Sequence, residues 1–241
     1  LPAEDILDIR GKSGDARDGA PVRIAVPVLR RIANFDDLDP LAGETDVDVT
    51  LVEAGDVIPA DADLILLPGS KSTISDLTFL RDQGWDIDIA AHLRRGGMVM
   101  GLCGGYQMLG TKLDDPDGVE GPAGETPGLG HLGVETVLAG DKRLTQVTAH
   151  ANAFDVPVRG YEIHMGRTGG PDCDRPFLTL DGRPEGAVSA DGAVIGTYLH
   201  GIFADDGFRR AFLDSLAARR GREGAFGEVD FDARVDETLD E

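Results

Sequence analysis

The sequence predicts an α/β fold, with a mostly parallel central sheet flanked by helices. Three observations carry this. Short β-branched or apolar runs alternate with helix-like stretches through the first half of the chain. The run Leu64-Ile65-Leu66-Leu67, closed by Pro68-Gly69, is apolar at every position, as suits a strand buried on both faces. The segment Met98-Val99-Met100-Gly101-Leu102-Cys103-Gly104-Gly105 has the pattern of a strand that turns sharply into a helix.

Residues 1–20 are polar and charged with no sustained period, and are expected to be a linker or the end of a preceding domain. The first residues, Leu1-Pro2, suggest a piece cut from a longer protein. Residues 22–28 are β-branched and predict the first strand. Residues 47–52 alternate Val-Asp-Val-Thr-Leu-Val and predict the second, and residues 63–67 the third. Helices are predicted over 75–81 and 87–95, the latter stopped by Gly96-Gly97, with His92 expected to be exposed. Residues 98–100 predict the next strand. Residues 114–130 are rich in Gly, Pro and acid and predict a long loop. Short strands are expected over 132–138, 146–150, 161–165 and 193–199, and a last helix over 208–218. Residues 221–241 form an acidic tail, leaving one domain over 21–220.

Composition narrows the function. The 241 residues, 41% of them hydrophobic, are enough for a real core. A net charge of -21 argues against nucleic acid or an anionic membrane as partner, since both need clustered Lys and Arg. No apolar run approaches the ~18–20 residues that span a bilayer. Two cysteines, Cys103 and Cys173, form no disulfide framework or CxxC pair, so a reducing cytoplasm is the simplest compartment and no metal is expected. Lysine is confined to Lys12, Lys71, Lys112 and Lys142, while arginine is plentiful. A GC-rich genome or adaptation to high salt would each account for that.

An unpaired cysteine is most often a small buried hydrophobe. Glycines on both sides of Cys103 point instead to a nucleophile elbow, where a helix N-terminus favours thiolate and oxyanion. A nucleophilic cysteine needs a base. Of five histidines, His200 follows the strand-like run Val194-Ile195-Gly196-Thr197-Tyr198-Leu199, where open α/β sheets place their sites. In a strand, Glu162 and His164 share a face, as a site pair or as a solvated salt bridge. The turn Leu67-Pro68-Gly69-Ser70-Lys71-Ser72-Thr73 can aim backbone N–H groups at an oxyanion. Gly11-Lys12-Ser13 is not a phosphate loop, because Ile6 stands where the first glycine is required. No nucleotide site is evident.

Together these segments resemble class I glutamine amidotransferase domains, whose elbow Gly-x-Cys-x-Gly-x-Gln is matched by Gly101, Cys103, Gly105 and Gln107. The likeness is strongest to the C-terminal glutaminase domain of the cobyric acid synthase family. It spans roughly residues 22–220 and is also carried by Arg31-Ile32-Ala33-Asn34-Phe35-Asp36-Asp37-Leu38-Asp39-Pro40-Leu41, the Gly69 turn, Tyr161-Glu162-Ile163-His164-Met165-Gly166-Arg167-Thr168 and Tyr198-Leu199-His200-Gly201-Ile202-Phe203.

The resemblance implies a flavodoxin-like fold. It also implies glutamine hydrolysis through a Cys103 thioester, with His200 as base and Gly69, Ser70 and Gly104 around the oxyanion. Gln107 would contact substrate glutamine. Ammonia would pass to an N-terminal synthetase domain, carrying ATP and Mg, that amidates the corrinoid adenosylcobyrinic acid a,c-diamide in cobalamin biosynthesis. Most class I members have His-x-Glu; here Ile202 takes the place of that Glu. The orienter of His200 is therefore open, with Glu162 as a candidate and His164 and Asn34 as orienting or interdomain residues. Two alternatives stand: the glutaminase subunit of a lipid II amidotransferase, and an inactive binding module of the same fold.

Overall fold

Alternation along the Leu64–Leu67 strand divides the core in two. Leu64 and Leu66 face one layer, Ile65 and Leu67 the other, and all four are fully buried. This is the period of two that a strand imposes. The computed structural model describes residues 22–140, 143–222 and 226. The expected leading segment 1–20 lies outside the described residues, as does the acidic tail 221–241 apart from Gly221, Arg222 and Phe226.

The central sheet has six strands: β1 (Val22–Pro27), β2 (Val47–Val52), β3 (Leu64–Leu67), β4 (Met98–Leu102), β5 (Ala187–Val188) and β6 (Val194–Thr197). Their order is β5-β6-β4-β3-β1-β2. All are parallel except β5, which runs antiparallel to β6 at the edge. Read from the other edge, the parallel strands follow the flavodoxin-like order, in which sites lie beyond the carboxyl ends of the strands.

The helices are α1 (Asp39–Gly43), α2 (Thr73–Asp82), α3 (Trp85–Arg94), α4 (Gly104–Leu109) and α5 (Asp206–Arg219). Leu77, Leu80, Trp85 and Ile89 of α2 and α3 join Ile65, Leu67 and Val99 in one layer. Phe208, Phe212, Leu213 and Leu216 of α5 join Leu64, Leu66 and Met100 in the other. At about 1.5–3 kcal/mol per buried large apolar side chain, these layers dominate the favourable side of folding.

A second, antiparallel sheet runs Arg183–Glu185, Leu178–Leu180, Arg143–Ala151, Val156–His164, Leu199–His200. A third contains Arg167–Gly169, Glu135–Val137, Lys112–Asp115 and Gly124–Pro127.

Three expectations need correction. Residues 114–130 are not all loop: Lys112–Asp115 and Gly124–Pro127 pair antiparallel. The buried carboxylate of Asp115, which accepts from the N–H groups of Val119 and Glu120 (2.7 and 2.9 Å), shapes the chain between them. His92 is buried, not exposed: its Nε2 lies 2.9 Å from the Met98 carbonyl oxygen, and burial lowers its pKa. Gly97 makes room for it, since a Cβ there would fall 2.1 Å from the ring. Finally, residues 193–199 are not one strand. The chain leaves the central sheet after Thr197, and Leu199–His200 pairs with the second sheet. That change of sheet positions the site.

Candidate active site

Cys103 stands at the carboxyl end of β4 with φ 51° and ψ -107°, a strained conformation for a residue with a Cβ. Its own N–H donates to the Thr197 carbonyl of β6 at 2.9 Å. The glycines around it are required by contact. A Cβ on Gly105 would lie 2.2 Å from the Leu67 carbonyl oxygen, and one on Gly104 would lie 2.9 Å from the Ser70 nitrogen. The elbow is thus wedged between the end of β3 and the Gly69 turn.

That turn is held from both sides. Ile32–Ala33 pairs antiparallel with Gly69–Ser70. The Ser70 hydroxyl donates to Asp76 Oδ2 (2.6 Å) and accepts from the Ser72 N–H (3.0 Å). Asp76, buried in α2, also accepts from the Arg31 N–H at 3.2 Å, and burial raises its pKa. Gly69 abuts the imidazole: a Cβ there would come 3.3 Å from His200 Cε1.

His200 is fully buried at the start of the turn before α5. Its Nδ1–H donates to Asp37 Oδ2 at 2.6 Å, and the Gly201 N–H donates to Asp37 Oδ1 at 2.6 Å. This fixes the orientation of the ring, with Nδ1 committed to the carboxylate and Nε2 left for the site. Nε2 is buried with no hydrogen-bond partner of its own. Burial alone would lower the His200 pKa. The hydrogen bond and charge of Asp37, with the nearby Cys103, outweigh it and push the pKa up to about 10. The Tyr161 ring stacks on the imidazole, with centroids 5.4 Å apart and planes 17° apart.

Glu162 is not the partner of His200. It binds Arg183 and lies 3.4 Å from His164 Nε2, and these partners hold its carboxyl below the usual range. Asp37 takes that role, and sequence reasoning missed it. It lies within the short 3-10 helix Phe35–Leu38, which Asn34 opens at φ 55°. Asn34 is brought to the same place: its Nδ2 donates to the Tyr161 hydroxyl at 2.5 Å. The available signal was the acidic stretch Asp36-Asp37 between Phe35 and Leu38, whose side chains are all but fully buried.

The end of the Val156–His164 strand covers the thiol. Cys103 Sγ–H donates to the Ile163 carbonyl at 3.3 Å. Gln107 Nε2 donates to the Met165 carbonyl (2.9 Å) and the Tyr198 hydroxyl (3.2 Å), while its Oε1 accepts from Thr73 Oγ1 (3.0 Å). Gln107 is therefore buried with its amide engaged on both ends. His164 stacks on Tyr198 with centroids 4.0 Å apart. Cys173, the other thiol, lies near the Tyr106 hydroxyl (3.9 Å), and burial raises its pKa. Among the described residues no helix is long and apolar enough to cross a membrane, and no group of three metal-binding side chains converges.

The arrangement gathers a thiol, an imidazole bonded to a carboxylate, and glycine-built backbone beside the thiol. It suits nucleophilic attack on a carbonyl carbon. The CobB/CobQ-like glutamine amidotransferase domain family matches residues 23–208. The cobyric acid synthase of Ruegeria sp. is 58% identical over 241 residues, covering 100% of this chain and 48% of that protein. The cobyric acid synthase of Rhodobacter capsulatus is 59% identical over 238 residues, covering 98% and 49%. The chain thus spans about half the length of the curated relatives it matches. Among solved structures, PurLQS from Thermotoga maritima superposes with a TM-score of 0.61 at 20% identity, covering 81% of this chain and 99% of that one. A crystal structure of a glutamine amidotransferase gives 0.56 at 14% identity, covering 81% and 98%. The chain shares their fold.

Proposed function

Because the chain belongs to the CobB/CobQ-like glutamine amidotransferase family, we propose that it is the glutamine-hydrolysing part of a cobyric acid synthase. Cys103 attacks the side-chain carboxamide of glutamine. His200 Nε2 holds the proton taken from the thiol, as the imidazolium that its raised pKa favours, and delivers it to the leaving ammonia. Backbone N–H groups at Gly69, Ser70 and Gly104 hold the tetrahedral oxyanion. Water then releases glutamate from the thioester. Asp37 keeps the imidazole in its tautomer and stabilises the imidazolium.

The observation that carries this reading is Cys103 at the carboxyl end of β4, tied by its N–H to the Thr197 carbonyl, with His200 three residues further along bound to Asp37. The remaining half of the relatives' length is assigned the ATP- and Mg-dependent synthetase, where ammonia amidates carboxylates of adenosylcobyrinic acid a,c-diamide. The relatives' identities favour this over a lipid II amidotransferase subunit. The presence of Cys103, His200 and Asp37 at one place favours catalysis over an inactive binding module.

The test is glutamate release, together with labelling by diazo-oxonorleucine. Labelling is expected and should disappear in Cys103→Ala; a wild-type protein that neither labels nor releases glutamate refutes the reading. The Ile163 carbonyl on the thiol supports a further expectation. This chain alone should hydrolyse glutamine slowly and be stimulated by the rest of the protein. Equal rates with and without that part refute the coupling.

A further inference from the structure

We propose that Glu185 is a positioning residue that holds both members of the catalytic pair through Thr197. This rests on the glutaminase reading above. Glu185 closes the Arg183–Glu185 strand and is 5% exposed. Its two oxygens are both used within two consecutive residues. Thr197 Oγ1–H donates to Oε2 and the Tyr198 N–H donates to Oε1, each at 2.7 Å. Thr197 Oγ1 in turn accepts from the Leu199 N–H at 3.1 Å.

These bonds lie where the chain crosses between sheets. Thr197 is the last residue of β6, and Leu199–His200 pairs with the second sheet, His200 opposite Tyr161. The Thr197 carbonyl accepts the N–H of Cys103 at 2.9 Å. One residue therefore carries the nucleophile's backbone on its carbonyl and the base three positions along the chain. Glu185 fixes that residue and the next. A buried carboxylate is costly unless hydrogen-bonded, and it is kept here at the junction of the two sheets. None of its bonds reaches a reacting atom.

The titratable groups within electrostatic reach of Glu185 are Glu162 and Arg183 in the second sheet, Tyr106 of α4, Tyr198 and Cys173. Burial, opposed by its two hydrogen bonds, leaves its pKa raised to about 7. Above that pH the carboxylate accepts from both donors; below it, one oxygen carries its own proton and the hold on Thr197 or Tyr198 weakens. Activity should therefore gain a step near pH 7, rising with pH.

The test compares wild type, Glu185→Gln and Thr197→Val in the full-length polypeptide. Glutaminase kinetics are followed against pH. The rate of Cys103 alkylation by iodoacetamide is followed by mass spectrometry of its peptide. A displaced base costs rate more than binding, so Glu185→Gln should lower kcat about tenfold or more with KM within about twofold. It should lose the step near pH 7 and slow Cys103 alkylation. Thr197→Val keeps the Tyr198 bond and should move the same way by about threefold. Wild-type kcat, pH profile and alkylation in Glu185→Gln overturn the proposal. So does a loss fully explained by a smaller folded fraction with unchanged rate per folded molecule. If wild type releases no glutamate the glutaminase reading fails, and the alkylation rates still decide the role of Glu185.

Discussion

Cys103 reaches its position through its own backbone and the glycines beside it. His200 reaches its position through side chains from distant parts of the chain. On the thiol side, a strained φ of 51° and the closely packed Gly104 and Gly105 aim the side chain. On the imidazole side, the Asp37 carboxylate, 163 residues away, binds both the ring and the following N–H. The first arrangement is stiff, and tolerates almost no added volume. The second is electrostatic, and depends on charge state. One site therefore combines a part sensitive to atoms and a part sensitive to pH.

Substitutions can break the two parts separately. Cys103→Ala should have the largest effect, a fall in glutamate release of roughly 10⁴-fold or more, since no other group can form the thioester. Residual turnover within tenfold of wild type would mean that the elbow does not supply the nucleophile. Asp37→Asn comes next. It keeps the shape but disturbs the tautomer and the imidazolium, and should cost roughly 10²–10⁴ in kcat. The same variant should lower the His200 pKa from about 10, as read by NMR of the imidazole protons. An unchanged titration would remove Asp37 from the mechanism.

Gly105→Ala probes the stiff side through stability. A Cβ 2.2 Å from the Leu67 carbonyl forces the elbow helix and β3 apart. The expected cost is about 1–3 kcal/mol, or about 2–4 °C in Tm per kcal/mol for a domain of this size. A Tm equal to wild type would show that the wedge yields. A further test reads alkaline stability. The His200 pKa is raised above its unfolded value of 6.5, so the stability it contributes is complete below 6.5 and lost as pH rises through about 10. The urea midpoint should fall from pH 7 to 10.5 in wild type, and less in Asp37→Asn. Parallel curves for the two proteins would contradict the assignment.

The same contrast explains what was legible in the sequence. The elbow could be read because its requirements are local: Gly101, Gly104 and Gly105 stand within two residues of Cys103. The sheet could be read because Leu64–Leu67 is apolar throughout and helix-like stretches separate the strands. Asp37 could not be read, because nothing near His200 encodes a partner from the other end of the chain. Glu162 was the natural guess, being near His164 in a strand, but Arg183 and His164 occupy it. His92 sits in a helix with polar neighbours, and its burial is set by Gly97 and Met98 beyond the helix end. The run ending at Leu199 is continuous in hydrophobicity, so its crossing between sheets at Tyr198 leaves no mark in the pattern. That crossing is set by the buried Glu185, twelve residues or more away in sequence.

The distance between Asp37 and His200 along the chain also matters while the protein is being made. Synthesis runs from the N-terminus, and a domain folds as a unit once enough of it has emerged. A nascent chain that has just exposed Cys103 has its elbow but neither its base nor the Thr197 carbonyl that anchors it. Only when the ribosome has passed His200 can the thiol be activated. On the glutaminase reading, a chain truncated or stalled before His200 releases no stray ammonia, and catalytic competence certifies that translation has passed that point.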